Sequence, residues 1–474
     1  MKTPHSRAIQ LLGLFVVAAM ATSCSRAMIA ESIAQERFER PVLAIDGLKQ
    51  GTPAPAISSS FAPATRVFSL EDAIYIALLE NPELRAAYDE FQAKLQKIPQ
   101  ARSMPDPMIS YTQFVESVQT RTGEQQFSAG LSQKFPWFGK LTLQGEIANA
   151  EAQAALEAYH AQALDVIEEM TQAYHNLAFE RAAQRLTEEE REYLSQFLQA
   201  AAASYASGGQ GRLAVLKAQT EISRVNNDLA GYAARIRTLE AQLNRLMNRD
   251  AATPLIVAEH DPARLLDLRN ADFIGQALAN RPELRRLDWM IEKSERQHDL
   301  ARKDYWPDVT FGVNYIGIGG RPDDPAMAPF DEGKDAWNVA VMFNLPLQNP
   351  RRRAQLAEAR IWKDKAEHEK EAVTDRIEER LDSLQSLLRS LNDQLALFEN
   401  SLLPLAGEMF ETSRADYETG KMTFLDLLDA ERMLLRVRMD YLKAARDYNL
   451  AVAELERTVG AKLQVQAPDS IEGG

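Results

Sequence analysis

Two carboxylates near the end of the chain have a type and spacing that could act on a charged ligand. Asp426 and Asp429 stand three residues apart in a segment with helical periodicity, so they share one face of the predicted helix. The segment also has a structural explanation, because Thr423 and Asp426 match a capping box and acidic residues in a first turn interact favourably with the helix dipole. The spacing alone leaves both roles open.

The single cysteine offers a different chemistry, the acylation of a thiol. It follows an apolar run from Leu11 to Met20, which is too short to span a bilayer as a helix and is typical of a cleaved secretory signal. Three small residues then lead to Cys24, an arrangement that resembles the lipobox of bacterial lipoproteins, with Ala21 where Leu or Val is usual. An incidental cysteine is the alternative. Because a lone thiol in an exported chain has no disulfide partner, we predict a signal peptide at 1–23, lipid on Cys24 and a lipid-anchored linker at 24–67.

Sequence patterns of catalysis are missing from the chain. It contains no HExxH, no paired CxxC, no phosphate loop and no GxSxG elbow, and its six histidines are scattered. We therefore expect no enzyme activity, no metal site and no cofactor apart from the lipid on Cys24. The net charge of -14 disfavours nucleic acid and anionic lipid surfaces as the main partners.

Alternating polar and apolar residues predict four β-strands, at about 107–118, 125–135, 308–318 and 336–346. Each run has about the nine to eleven residues that a tilted strand needs to cross a bilayer. No stretch after the signal reaches the roughly 20 apolar residues of a transmembrane helix, so any span must consist of strands. A soluble antiparallel sheet with one buried face is the alternative. Because four strands cannot close a barrel, spanning strands require an oligomer.

Long segments rich in Ala, Glu, Gln and Leu predict helices at about 141–206, 213–247, 352–417 and 424–459. At about 1.5 Å per residue the first would be on the order of 100 Å long. Glycine-containing turns follow both long helices, which predicts two antiparallel helical hairpins. Pro404 is expected to kink the second long helix.

The same landmarks occur twice along the chain. The segment ALLENPELRAA from Ala77 returns as ALANRPELRRL from Ala277, and YASGGQGRLAVLKAQ from Tyr205 returns as YETGKMTFLDLLDAE from Tyr417. Pro-Asp pairs open the first strand of each copy. The matches predict two repeats, at 68–262 and 263–460, with a tail at 461–474.

The order of parts in each repeat resembles the TolC-like outer-membrane efflux proteins, from about Phe68 to Gly460. Its most specific segments are SLEDAIYIALLENPELRAA and YETGKMTFLDLLDAERMLL. The resemblance implies a mixed α+β membrane protein, mainly helical, in which three protomers pool their strands into one β-barrel and their hairpins into an α-helical barrel. It implies a passive, lipid-anchored exit duct in the outer membrane of a Gram-negative bacterium, extending into the periplasm.

Carried over to this sequence, the resemblance assigns roles to the hairpin tips. Asp426 and Asp429 match the carboxylates that ring the periplasmic gate, whereas the first repeat has Ala214 and Lys217 there, so one repeat alone would supply the ring. Lys217 could pair with an acidic neighbour to hold the tip closed. Residues that could dock a periplasmic adaptor protein are Gly208, Gly209, Leu213, Gly420 and Leu425. Turn formation is the simpler role of the glycines.

The resemblance also implies an inner-membrane pump as a partner. The phrase QKFPWFGKL around Pro136 is similar to members that work with metal-cation pumps of the resistance-nodulation-division class, although aromatic residues are also expected at a membrane interface. Met422, Met433 and Met439 could bind soft metals, but methionines at helical spacing more often fill a core. We therefore favour metal efflux. The alternatives are a drug-efflux or type I secretion duct, and a periplasmic lipoprotein with helical hairpins that serves as adaptor or scaffold.

Overall fold

The computed structural model describes residues 67–206, 212–257, 266, 272–320, 330 and 332–463. The predicted signal peptide, Cys24, Gly208 and Gly209 lie outside the described residues. In chain order the helices are α1 (Leu70–Glu80), α2 (Pro82–Leu95), α3 (Lys97–Arg102), α4 (Lys140–Ala206), α5 (Arg212–Leu246), α6 (Phe273–Asn280), α7 (Pro282–Lys303), α8 (Asn349–Leu397), α9 (Leu403–Glu418) and α10 (Phe424–Val459). The strands are β1 (Val67–Phe68), β2 (Met108–Thr120), β3 (Gly123–Phe135), β4 (Ile256–Val257), β5 (Val309–Gly319) and β6 (Ala336–Phe343).

The described chain forms two compact units. One contains Ala93–Ala152 and Glu292–Lys363, and the other contains the described residues of Ala54–Gln92, Gln153–Ile291 and Asp364–Gly474. None of the helices in the described ranges combines the length and the apolar character of a membrane span.

The first unit is built on an antiparallel sheet in the order β2-β3-β5-β6. Residues that pair across the four strands have side chains on the same face. One row across the sheet consists of Ile109, Leu131, Val313 and Val339, and the next consists of Ser110, Gly130, Asn314 and Asn338. One face is therefore apolar and the other is small and polar. The apolar side chains are exposed, at 83% for Ile109 and 51% for Val339.

The last strand is shorter than the alternation predicts. β6 ends at Phe343 rather than near residue 346, because the Asn344 side chain accepts a hydrogen bond from the Asp308 N–H at 2.5 Å. Pro346 has no N–H to donate to a strand partner. The chain therefore leaves the sheet two residues before the proline.

Asp308 joins the strands of this unit to the start of α4. Its carboxylate lies 2.9 Å from Lys140 Nζ and 3.0 Å from Lys134 Nζ, and it accepts a hydrogen bond from the Trp137 N–H at 3.0 Å. Lys140 is only 7% exposed. A buried charge is stable when an opposite charge compensates it, so this cluster fixes the junction between β3 and the first long helix.

The second unit consists mainly of long helices that pack through apolar side chains. Residues of α6, α7, α8 and α10 form one buried cluster, which includes Leu284, Leu381, Leu388 and Tyr448. The Leu266 N–H donates to the Tyr448 hydroxyl at 3.0 Å, which satisfies this buried polar group. β1 and β4 form a short parallel pair beside the helices.

The predicted helix at about 352–417 is not one continuous α-helix. It starts at Asn349, and a π-helical turn at Phe398–Leu402 separates α8 from α9. Pro404 follows in the first turn of α9. A proline cannot donate to the carbonyl four residues earlier, and a single π-helical turn inside a long helix accommodates such a local break.

The two PELR motifs make equivalent contacts in the second unit. Glu83 lies 3.2 Å from Arg245 at the end of α5, and Glu283 lies 2.6 Å from Arg457 at the end of α10. Each arginine also reaches an acidic residue of the long helix α4, because Arg245 contacts Glu169 and Arg457 contacts Asp165. The motif thus ties the start of one helix to the end of the returning helix in both halves of the chain.

Glu283 is the more buried of the two PELR carboxylates. Its side chain is 22% exposed, whereas that of Glu83 is 56% exposed. Burial by itself would raise the pKa of Glu283. Hydrogen bonds from Arg281 and Arg457, together with their charges, outweigh burial and lower the pKa to about 2 from 4.5. Because the pKa is lower in the folded state, this contribution to stability is present above about pH 4.5 and is lost as the pH falls towards 2.

We predict that Glu283→Gln lowers the free energy of unfolding by roughly 3 kcal/mol at pH 7, since each pKa unit corresponds to about 1.4 kcal/mol. The matched change Glu83→Gln removes a half-exposed ion pair and should cost about 1 kcal/mol or less. Denaturant unfolding of both variants between pH 2 and pH 7 measures the difference. Equal losses for the two variants, or a Glu283→Gln effect that persists at pH 2, would contradict the prediction.

Candidate functional site

The tip of the second hairpin is a tight turn between α9 and α10. Gly420 has φ +73°, the left-handed conformation that glycine adopts most readily at a helix end. The Lys421 N–H donates to the Asp416 carbonyl at 2.8 Å, which satisfies one of the free carbonyls at the end of α9. Gly420 therefore has a structural role in the turn, and its predicted docking role would be additional.

The first of the two predicted gate carboxylates forms a capping box. Thr423 Oγ1 accepts a hydrogen bond from the Asp426 N–H at 3.3 Å and donates to Asp426 Oδ2 at 2.6 Å. The Thr423 N–H donates to the same oxygen at 3.4 Å. The Asp426 carboxylate is thus held at the start of α10, where it interacts favourably with the positive end of the helix dipole.

The second carboxylate is more available to solvent. The side chain of Asp429 is 76% exposed, and its only ion-pair partner within the described residues is Arg432, at 3.6 Å. Asp426 and Asp429 lie on the exposed face of α10, followed along the same face by Met433, Arg436 and Asp440. The structure therefore brings both predicted residues to one surface, with Asp429 the freer charge.

A chain of ion pairs links this surface to the first hairpin, and the sequence did not predict it. Arg432 contacts Glu221 on α5 as well as Asp429. Arg224 then lies 2.9 Å from Glu221 and 2.9 Å from Glu190 on α4. The spacing of Glu221 and Arg224 signals a local pair, but nothing in the sequence indicates contacts between residues 211 positions apart.

Below these charges, apolar residues from both hairpins form what we call the tip cluster. It contains Leu194 and Phe197 of α4, Ala218 and Val225 of α5, Ala406 and Phe410 of α9, and Phe424, Leu427, Leu428, Leu434 and Val437 of α10. Leu425 is partly buried against it. The first role of this predicted docking residue is thus packing, and the two hairpins share one core near their tips.

The tip of the first hairpin exposes more apolar surface. Leu213 is 61% exposed and Leu216 is 46% exposed at the start of α5. Ala214 is partly buried against the tip cluster. Lys217 is exposed and has no ion-pair partner among the described residues, so the predicted pairing across the tip stays a prediction.

The chemistry available at this site is electrostatic. Among the residues that the structure describes, no group of three or more His, Cys, Asp or Glu side chains could hold a metal ion. Of the three methionines near the tip, Met433 is 46% exposed on the Asp429 face, and Met422 and Met439 are half-buried. Exposed carboxylates such as Asp429 attract cations through their charge.

Comparison with known sequences identifies relatives over most of the chain. The sequence profile of the outer membrane efflux protein family matches residues 73–249 and 273–461. The cation efflux system protein CusC of Escherichia coli O6:H1 is 23% identical, over 90% of this chain and 93% of CusC. The cobalt-zinc-cadmium resistance protein CzcC of Cupriavidus metallidurans is 23% identical, over 83% of this chain and 90% of CzcC.

Solved structures share the fold. A crystal structure of CusC superposes with a TM-score of 0.69 at 20% identity, covering 87% of this chain and 98% of that chain. The open state of the MtrE outer membrane channel of Neisseria gonorrhoeae gives a TM-score of 0.65 at 18% identity, covering 88% and 98%. Because the family profile matches both halves of the sequence, from Ala73 to Ala461 with one gap, this chain belongs to the outer membrane efflux protein family.

Proposed function

We propose that this outer-membrane efflux channel works as a homotrimer that passes metal cations from an inner-membrane pump, through a periplasmic adaptor protein, to the outside. The pump would be of the resistance-nodulation-division class. The observation that carries the assembly from several copies is the sheet of the first unit, which has an exposed apolar face and, within the described residues, two unpaired edges. The metal substrate is supported by the names of relatives, a cation efflux protein and a cobalt-zinc-cadmium resistance protein.

The faces of the sheet fit a wall between lipid and water. The row that contains Val313 and Val339 is apolar and about half exposed in the isolated chain, whereas the row that contains Asn314 and Asn338 is polar. Strands of membrane barrels alternate in this way, with apolar side chains towards lipid and polar side chains towards the lumen. Lipid would cover the apolar face.

The edges of the sheet require partners. β2 and β6 each have one neighbour within the described chain, so each leaves a row of backbone N–H and C=O groups unpaired. Such groups cannot stay unpaired in a bilayer. Pairing of β6 in one protomer with β2 in the next would satisfy them and would close three sheets into one β-barrel. The hairpins would then surround an α-helical tunnel in the periplasm.

The remaining expectations complete the proposal. A lipid on Cys24 would anchor the linker at 24–67 to the outer membrane. The two repeats, at 68–262 and 263–460, would derive from duplication, which the equivalent contacts of the two PELR motifs support. Leu213 and Leu216 form the apolar surface best placed to receive the adaptor. Gly208, Gly209, Gly420 and Leu425 would shape that surface.

In the trimer, three Asp429 side chains would converge at the periplasmic entrance. The exposure of Asp429 supports this role. Asp426 is a weaker candidate, because its carboxylate takes part in the capping box with Thr423. A ring of carboxylates raises the local concentration of cations and repels anions. Arg432, which contacts Asp429 and Glu221, would position the ring relative to the first hairpin.

Deleting the gene should lower tolerance to cobalt, zinc and cadmium and leave tolerance to apolar drugs unchanged. Growth inhibition by each compound measures this, with the wild-type gene returned on a plasmid as the control. Loss of drug tolerance with intact metal tolerance would overturn the metal proposal and favour a drug duct. No change in either would argue against an efflux role under those growth conditions.

Neutralising the ring should reduce cation selectivity. We predict that Asp429→Asn lowers the ratio of cation to anion permeability at least about twofold at low salt, because three charges leave the entrance and screening is weak there. Reversal potentials in planar bilayers under a salt gradient measure the ratio. Glu369→Gln removes a charge of the same sign from a half-exposed pair on α8 and serves as the control. Equal effects of both changes would show that Asp429 has no special position.

A further inference from the structure

Glu431 is a carboxyl group buried at the joint between the two hairpins, and the proposed transport role does not use it. It lies on α10 with 2% of its surface exposed. Residues three or four positions away on a helix share its face, and Leu427, Leu428 and Leu434 all belong to the tip cluster. Its side chain therefore points into the core that both hairpins share.

The surroundings of Glu431 compensate a negative charge only in part, because the charges of Arg432 and Arg224 are outweighed by burial and by Glu190 and Glu221. Within the part of the chain that the structure describes, its Oε1 atom has no hydrogen-bond partner. The charged groups that act on its ionisation are Glu190 of α4, Glu221 and Arg224 of α5, and Arg432 of α10. The tip cluster also packs against two titratable hydroxyl groups, those of Tyr193 on α4 and Tyr417 on α9. Each of the two arginines already forms an ion pair with Glu221.

Burial is the main cause that raises the pKa of Glu431, to about 8, and the nearby negative charge of Glu190 adds to it. The group is therefore largely neutral in the packed state at neutral pH. If it ionises in place, a charge without a dedicated partner remains in an apolar core, which is strongly unfavourable. Separation of the helices would let water reach the carboxylate.

We propose that Glu431 is a proton-controlled latch, whose neutral side chain lets the two hairpins pack at the tip cluster and whose ionised side chain favours their separation. The packing and the burial carry this inference, and it rests on the proposed function only where separation is equated with opening of the duct. The latch would make the resting duct tightest in acid and looser as the periplasm becomes more alkaline.

The direction of the pH effect follows from the two states. The packed state holds its proton up to about pH 8, whereas an opened state exposed to water would release it near 4.5. The equilibrium constant that favours packing over opening is therefore largest below about pH 4.5. It falls by up to a factor of ten per pH unit between about pH 4.5 and about pH 8. Above that range the effect is constant.

Amide hydrogen exchange measured by mass spectrometry on the intact protein in detergent tests the latch without any transport assay. Peptides within residues 424–437 are compared between wild type and Glu431→Gln at the same pH, so that the intrinsic pH dependence of exchange cancels. We expect rates within about twofold of each other at pH 4.5, and wild-type exchange at least about tenfold faster at pH 8. Agreement at pH 4.5 also shows that the variant folds.

Two further variants sharpen the test. Glu189→Gln removes an exposed carboxylate that pairs with Arg438 at 3.6 Å, so it should exchange like wild type at both pH values. Glu190→Gln removes the carboxylate that disfavours ionisation of Glu431. It should therefore reduce the change in exchange rate between pH 4.5 and pH 8. Two results would overturn the latch. One is equal exchange rates of wild type and Glu431→Gln at pH 8, and the other is a ratio of their rates that is the same at pH 4.5 and at pH 8. Neither result depends on whether the protein conducts cations.

Discussion

Unpaired backbone at the edges of a β-sheet is the constraint on which the proposed assembly depends. Within the described residues, four antiparallel strands leave β2 and β6 each with one open side, and one face of the sheet exposes apolar side chains such as Ile109 and Val339. Water tolerates such edges but penalises the apolar face, whereas lipid covers the face but does not tolerate the edges. A closed ring of sheets satisfies both requirements at once.

The second constraint concerns the helices, because the long hairpins must be held against each other without a large globular core. Charged residues do much of this at the ends of the returning helices, where Arg245 and Arg457 connect the PELR motifs to α4. Near the tips, an apolar cluster and the contacts of Arg432 replace that arrangement. The firm contacts at one end and the single buried acid at the other, Glu431, differ in their response to protons.

The sequence predicted what depends on local periodicity. Alternation predicted four strands, and the four-stranded sheet contains strands in all of those places. It placed the end of β6 too late because the competing contact between Asn344 and Asp308 is not local. Pro404 predicted a kink in the second long helix, but no sequence pattern indicated that the irregularity would be a π-helical turn at Phe398–Leu402.

The candidate site shows the same division. Spacing identified Asp426 and Asp429 but left their roles open, and the capping contacts of Asp426 distinguish the two. The ion pair between Arg432 and Glu221, and the environment of Glu431, depend on how the hairpins pack. Residues from four helices create that environment, so composition and period carry no signal for it.

The mass of the detergent-extracted particle tests the central claim most directly, because the proposed closure of the sheet edges uses three copies. Light scattering of the mature protein should give a trimer. Val339→Arg, on the apolar face, should reduce the trimer recovered from membranes, since an arginine facing the middle of a bilayer costs roughly 2–4 kcal/mol. Asn338→Arg, on the polar face, should still assemble. A monomeric, water-soluble wild-type particle, or equal assembly of both variants, would contradict the account.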